Sequence, residues 1–151
     1  MSQSLSAIYI HATFGTKDRN YWINEKISTN LHAYMATILK NLNCPALIIN
    51  SMPDHVHILF RMSKTVTIAQ VIEEVKKSSS KWIKNQLSGT PSFYWQRGYG
   101  AFSVSCSHLD VVTEYIAHQN EHHKKVTYKE EIERLMDKYN VNEYEPAYYW
   151  S

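Results

Sequence analysis

Cysteine is scarce in this chain: Cys44 and Cys106 stand singly, with no C-x-x-C pair and no four-ligand zinc-finger spacing. Two unpaired thiols suit a reducing compartment rather than a disulfide-stapled scaffold. Long apolar runs are also missing. No stretch approaches the length of a bilayer span, and Met1-Ser2-Gln3-Ser4-Leu5-Ser6 has neither a basic flank nor a sustained apolar core, so the protein is expected to be cytoplasmic. Net charge is small too, at +2, yet it is unevenly spread. Residues 1–129 carry 14 Lys or Arg against 8 Asp or Glu, while residues 130–151 carry 2 against 6. A basic body followed by an acidic, aromatic tail at about 140–151 favours a polyanionic partner over what the total charge suggests, ordinary mixed surface charge being the alternative.

Aromatic residues, by contrast, are plentiful. The 11 tyrosines and 4 tryptophans exceed what packing alone usually requires and favour a binding surface. With 151 residues the chain can bury one core and is short for two, so a single domain over 1–151 is expected.

The most informative stretch is Met52-Pro53-Asp54-His55-Val56-His57-Ile58-Leu59-Phe60. It follows the apolar run Ala46-Leu47-Ile48-Ile49 across a turn at Asn50–Asp54 and reads as the second arm of a hairpin. Alternation along a strand puts Val56, Ile58 and Phe60 on one face and the two imidazoles together on the other. Such a pair supplies half of a metal site, or two ordinary surface histidines; a third ligand has to come from elsewhere. Asp54 has two readings, orienting a histidine or forming the turn.

Other elements frame this strand. Ile8, Ile10, Ala12 and Phe14 alternate with Tyr9, His11 and Thr13, which predicts a first strand with His11 in solvent or substrate contact rather than a ligand role. Leu31, Tyr34, Met35, Ile38 and Leu39 predict a helix over about 25–41, ended at Asn43-Cys44-Pro45. Ile68, Val71, Ile72, Val75, Trp82, Ile83 and Leu87 predict a second helix, whose Lys76, Lys77, Lys81 and Lys84 form a basic ridge suited to phosphate or to solvation. Ser88-Gly89-Thr90-Pro91 should break it. Ala101–Cys106 alternates again, with Phe102, Val104 and Cys106 facing the core. Strand, helix, strand, strand, helix, strand is the order of an α+β, ferredoxin-like antiparallel sheet, with helices on one face and the histidine face free for a site.

After a Ser107-x-x-Asp110 capping pattern, a helix is expected through Val111–His123, with Tyr115 and Gln119 four apart on one side. A tyrosine beside a metal can attack phosphorus, leaving a covalent phosphotyrosine that conserves the energy of the phosphodiester. The alternative is a polar helical surface. A short final helix is read from Glu130 to Tyr139 through Ile132, Leu135, Met136 and Tyr139, and Tyr128, Tyr139, Tyr144, Tyr148 and Tyr149 are assigned mostly to packing or interface.

The ordered set Pro53-Asp54-His55-Val56-His57, Trp95-Gln96-Arg97-Gly98-Tyr99-Gly100-Ala101-Phe102-Ser103-Val104-Ser105 and Tyr115-Ile116-x-x-Gln119-x-Glu121-His122-His123 closely resembles the single-tyrosine HUH transposases of small bacterial insertion sequences, also called TnpA-like or REP-associated-type. The ending Glu145-Pro146-Ala147-Tyr148-Tyr149-Trp150 is similar as well. That resemblance implies His55 and His57 as metal ligands, Gln119 as the third, Tyr115 as nucleophile, and magnesium or manganese as the metal. It also implies single-stranded DNA, often hairpin-bearing, as substrate, a 5′-phosphotyrosine intermediate, and a homodimer in which tyrosine helices can be exchanged. His118, His122 and His123 are left to supporting or DNA contacts. Candidate DNA contacts are Lys17, Arg19, Lys76, Lys77, Lys81, Lys84, Trp95, Arg97, Lys124 and Lys125, the aromatic and arginine of the Trp95 loop being suited to base stacking and backbone contact. Two other classes remain beside strand transfer: a noncatalytic single-strand or hairpin-binding regulator, and a metal-dependent phosphodiesterase.

Overall fold

The structure, a computed structural model, describes residues 2–87 and 92–151, so the break expected at Ser88-Gly89-Thr90-Pro91 lies outside the described residues. Four strands, β1 (Tyr9–Gly15), β2 (Ala46–Met52), β3 (His55–Arg61) and β4 (Gly100–Val104), form one antiparallel sheet in the order β2-β3-β1-β4. Helix α1 (Glu25–Asn41) joins β1 to β2 and helix α2 (Ile68–Gln86) joins β3 to β4, which makes the α+β, ferredoxin-like arrangement.

Local chemistry fixes the ends of these helices. Asn24 caps α1 by accepting from the backbone N–H groups of Lys26 and Ile27, and Asn43 ends it in the left-handed region at φ 58°. Thr67 and Gln70 form a reciprocal capping box at the start of α2. Ile27, Leu31, Met35 and Leu39 from α1, with Val71, Ile72, Val75 and Ile83 from α2, bury their stripes against Ala12, Phe14, Val56, Ile58 and Phe60. Cys44 is buried there as a packing residue.

The other sheet face is not bare. It is covered by α3 (Leu109–Ala117), the single turn α4 (Gln119–His122) and α5 (Tyr128–Lys138), followed by the short α6 (Pro146–Tyr149). The helix expected through Val111–His123 is interrupted at His118, whose φ −102° and ψ 27° leave the helical region. Ser107 also does not cap it. Ser105 instead accepts from Ser107 N–H in a 3-10 turn, and Ser107 Oγ bonds Ser105 Oγ and lies beside His108 Nδ1.

Phe102 and Val104 do point into apolar surroundings, but into those of this second layer. Phe102 packs with Tyr128, Ile132, Leu135 and Met136, and Val104 with Leu59 and Ile116, while Cys106 lies past the strand and is exposed. Among the described residues no helix is long and apolar enough to cross a membrane.

Candidate metal and tyrosine site

Strand register assembles the polar side of the sheet. β1 and β3 pair His11 with Leu59, Thr13 with His57 and Gly15 with His55, so these side chains share one face. All four polar ones are buried: His11 at 2%, Thr13 at 0%, His55 at 1% and His57 at 0% exposure. A buried imidazole or hydroxyl needs partners, and each has them. Thr13 Oγ1 donates to Val56 O at 2.8 Å and lies 2.9 Å from Tyr128 Oη. His11 Nε2 is 2.8 Å from His57 Nδ1. His11 therefore supports His57 from inside the protein, which corrects the expectation that it meets solvent or substrate.

Tyr128 closes the other end. Its ring stacks on His55 with centroids 3.9 Å apart and planes 8° from parallel. Gly15 makes this possible, because a Cβ there would stand 2.9 Å from Tyr128 Cε2 and 3.1 Å from the Asp54 carbonyl. Gly15 N–H also donates to Gln96 Oε1 at 2.6 Å, and Gln96 Nε2 donates to Tyr149 O at 3.0 Å, which ties the end of β1 to α6.

From the covering helices come Gln119, His123 and Glu131. One donor atom each from His55, His57, His123 and Glu131 lie within 4.8 Å of one another. Glu131 Oε1 is 2.9 Å from His57 Nε2, 3.0 Å from His123 Nε2 and 3.5 Å from His55 Nε2. Gln119 Oε1 is 2.8 Å from His123 Nε2 and 3.4 Å from His55 Nε2. Its amide nitrogen donates to Tyr115 O at 3.3 Å and to Glu131 Oε2 at 3.2 Å, which turns the oxygen inward.

The outer nitrogens decide what this set can hold. His55 Nδ1 sits 2.6 Å from Asp54 Oδ1, so it carries a proton and donates it. His123 Nδ1 does the same to Val126 O at 2.7 Å. In neutral rings the Nε2 atoms then present lone pairs, and they face the oxygens of Glu131 and Gln119, which are acceptors too. Acceptors gathered at 2.8–3.5 Å require a cation among them, protons or a metal. Nitrogen and carboxylate donors with outer partners that fix the tautomer fit a divalent metal. For His57 Nε2 to join, its proton must sit on Nδ1 and be donated to His11.

Electrostatics agree. Burial penalises the Glu131 carboxylate, but His57, His123 and His55 outweigh that and hold its pKa far below the usual range. Burial lowers His11 to about 3 and also lowers His57, so both are neutral at pH 7. Burial pushes His55 down, yet Asp54 and Glu131 carry its pKa above the ordinary value.

Tyr115 reaches the same cluster from α3. Its hydroxyl donates to Glu131 Oε2, and its ring centroid is 5.9 Å from that of His57 in the same chain. Burial, followed by the charge of Glu131, raises the phenol's pKa well above its ordinary value. A single chain thus brings together His55, His57, Gln119 and Tyr115. The sequence reading left out Glu131 and confined His123 and Tyr128 to lesser roles. A clue was present: Glu131 lies three residues after Tyr128 and four before Leu135, on the buried stripe of α5 where a carboxylate is out of place.

The candidate DNA contacts scatter. The Lys76 ammonium donates to the carbonyls of Gln96, Arg97 and Gly98 at 2.7, 3.1 and 2.9 Å, and burial lowers its pKa to about 8. Trp95 is 8% exposed, packed edge-on against Phe14 and bonded to Ser79, so its ring is core rather than a base platform. Its exposed neighbour Tyr94 has Lys84 4.5 Å and Lys17 6.0 Å from its ring centroid. Arg97 and Lys17 line a cavity of about 500 Å³ beside it. Arg19 lies over the Trp150 ring at 4.6 Å, and Lys77 pairs with Glu74 at 3.1 Å. Lys81 is exposed. Lys124 and Lys125 line a cavity of about 400 Å³ that also includes Asp54 and His123.

A family described as "Transposase IS200 like" matches residues 4–119. The chain belongs to the IS200-like transposase family. Its fold is similar to that of a protein from Deinococcus radiodurans R1 described as a transposase, with a TM-score of 0.62 at 18% identity, over 79% of this chain and 98% of the other. A REP-associated tyrosine transposase bound to a REP hairpin is similar at a TM-score of 0.58 and 14% identity, over 83% of this chain and 76% of the other. No curated protein matches the chain significantly. For an IS200-like transposase, a buried His, His, His and Glu cluster able to coordinate a divalent metal is consistent with nicking chemistry.

Proposed function

We propose that the protein, with residues 1–151 acting as one domain, is a metal-dependent transposase that cleaves and rejoins single-stranded DNA through a 5′-phosphotyrosine. One observation carries this reading: Tyr115 and Gln119 meet His55 and His57 of the same chain around one buried cluster. His55, His57 and Gln119 would hold the ion, magnesium or manganese, with His123 and Glu131 beside them. When bound, the ion polarises the scissile phosphate and offsets the charge that develops on it.

The chain's own residues do the rest. Across the break at His118, Gln119 Nε2 donates to Tyr115 O and the Tyr115 hydroxyl donates to Glu131 Oε2, so the phenol oxygen is presented next to the donors. Loss of its proton gives the nucleophile, which attacks phosphorus and releases a 3′-hydroxyl while the 5′-phosphate stays on Tyr115. Attack of such a hydroxyl on a phosphotyrosine rejoins a strand and frees the tyrosine. Lys17, Lys84 and Arg97 around Tyr94, exposed Lys77 and Lys81 on α2, and Lys124 and Lys125 near His123 are basic positions able to track the backbone. The hairpin in the structurally similar REP-associated protein supports hairpin-bearing element ends as the substrate. A homodimer remains part of the proposal. Exchange of tyrosine helices is not needed for it, because one chain already carries the whole set.

The test incubates single-stranded DNA carrying candidate imperfect palindromes with Mg²⁺ or Mn²⁺ and follows covalent protein–DNA product on denaturing gels. Tyr115→Phe should keep DNA binding and lose the adduct; an undiminished adduct removes Tyr115 as nucleophile. Metal-dependent cleavage without any adduct would favour the phosphodiesterase, and binding without cleavage the regulator.

A further inference from the structure

We propose that Glu131 is the positioning residue that couples the tyrosine to the metal donors, one carboxylate oxygen serving each. This rests on the transposase reading above and adds to it a residue from a helix beyond the matched segment, which ends at 119. Oε1 faces the Nε2 atoms of His57, His123 and His55, while Oε2 accepts from the Tyr115 hydroxyl and the Gln119 amide. Its two oxygens therefore divide between the two halves of the site.

Burial makes this arrangement informative. Glu131 is 1% exposed and is the only buried acidic side chain among the described residues. A carboxylate in such a place costs several kcal/mol unless it is paired and fully hydrogen-bonded, on the order of the loss seen when one partner of a buried pair is removed. Its ion-pair partners are all histidines, with no lysine or arginine among them. A carboxylate kept only for stability would be served by a permanently charged partner. Imidazoles are charged only when protonated, so a metal held among them would supply the counter-charge that does not depend on protonation.

The fold delivers Glu131 with little freedom. Thr127 caps α5 by accepting from Glu130 N–H, Tyr128 stacks on His55 one turn before Glu131, and Ile132, Leu135 and Met136 anchor the helix beside Phe102. Movement of α5 would carry the carboxylate away from both the phenol and the imidazoles. Conversely, an ion held by this donor set would fix the side chain whose Oε2 accepts from the phenol. Metal occupancy and tyrosine orientation are thus linked through one residue.

Glu131→Gln and Glu131→Asp separate the two duties. The amide has one acceptor oxygen and can serve only one side. Mn²⁺ affinity of the DNA-free protein, by calorimetry, should fall at least about tenfold in Glu131→Gln. Adduct formation at saturating Mn²⁺ and DNA should stay about 100-fold slow even so, because the phenol is no longer held. Aspartate keeps both oxygens and the charge but is one methylene shorter. It should bind Mn²⁺ within about tenfold of wild type and still slow the adduct step by about 100-fold.

Saturating Mn²⁺ that restores the Glu131→Gln rate would overturn the coupling and leave Glu131 a metal donor alone. Unchanged Mn²⁺ affinity in Glu131→Gln would overturn the donor half. Should circular dichroism show Glu131→Gln unfolded, Glu131→Asp decides: a wild-type adduct rate sinks the proposal, and a slow rate with Mn²⁺ binding kept supports it. A wild-type protein that makes no adduct overturns the transposase reading and the positioning half together, and the Mn²⁺ titration then judges the donor half by itself.

Discussion

The two faces of the sheet are made by the same strands and are both buried, yet one is packed by apolar side chains while the other sets a polar cluster among apolar neighbours such as Leu59, Phe102 and Val104. On the α1/α2 face Ala12, Phe14, Val56, Ile58 and Phe60 are fully buried among apolar side chains. One residue along in each strand, His11, Thr13, His55 and His57 are buried under α3, α4 and α5. Apolar burial stabilises by area and asks little of geometry. Polar burial stabilises only while every donor and acceptor has its partner, so the second face is specified by direction and distance. The first face builds the protein and the second aims its chemistry.

The largest effects should expose that difference in stability measurements. Phe60→Ala empties a site on the apolar face and should cost about 3–5 kcal/mol in denaturant unfolding, with the metal cluster unaltered in kind. Thr13→Val keeps the shape on the polar face but removes the bonds to Val56 O and Tyr128 Oη, and should cost about 1–3 kcal/mol. A Thr13→Val loss larger than that of Phe60→Ala would reverse the comparison and make the polar network the main support of the sheet.

How much of this could be read in advance follows the same division. Alternation in Ile10–Phe14 and Val56–Phe60, and the stripe Leu31, Met35, Leu39, are local patterns, and they gave the strands, the first helix and the pairing of His55 with His57 on one face. The i, i+4 spacing of Tyr115 and Gln119 was equally local. What closed the site was not. His57 meets Glu131 across 74 residues, Thr13 meets Tyr128 across 115, and His11 meets His57 across 46. Periodicity reports which side of an element is buried but not what it is buried against. The helix of Tyr115 and Gln119 was expected at this face, but the placement of α5 against it escaped, and with it the real surroundings of His11, Tyr128 and Glu131. The surroundings of Lys76 and Trp95 were hidden for the same reason. A lysine on a basic ridge looks exposed until the carbonyls of Gln96, Arg97 and Gly98 are found around its ammonium.

A middle-sized effect tests the contact between the two layers. Gly15→Ala would put a Cβ 2.9 Å from Tyr128 Cε2, with backbone at 3.1 Å on another side, so the ring and α5 must move. Overpacking of this kind should cost about 1–3 kcal/mol. It should also displace Tyr128 from His55 and so weaken Mn²⁺ binding, whereas Phe60→Ala should not. Equal Mn²⁺ affinity in Gly15→Ala and wild type would mean that the stacked ring is packing alone, and the two faces would then be more alike than the comparison holds.

The smallest effect is a slope. Burial, then the nearby His57, lowers His11 to about 3, while its unfolded value is 6.5. A base whose pKa is lower in the folded protein binds fewer protons there than when unfolded, between those two values. Stability from this group is therefore complete above about pH 6.5 and is lost as the pH falls towards 3, by up to about 1.4 kcal/mol per pH unit for one proton. His57 acts in the same direction, and His55, raised by Asp54 and Glu131 against its burial, acts in the opposite one above pH 6.5. His11→Gln removes one titrating group while leaving a side chain able to hydrogen-bond His57. In metal-free protein, urea melts between pH 6 and pH 4 should then show a shallower acid slope by about one proton, with the Phe60→Ala slope unchanged. An unaltered slope in His11→Gln would place the acid sensitivity elsewhere in the network, and it would take from the polar face the one property that the apolar face cannot have.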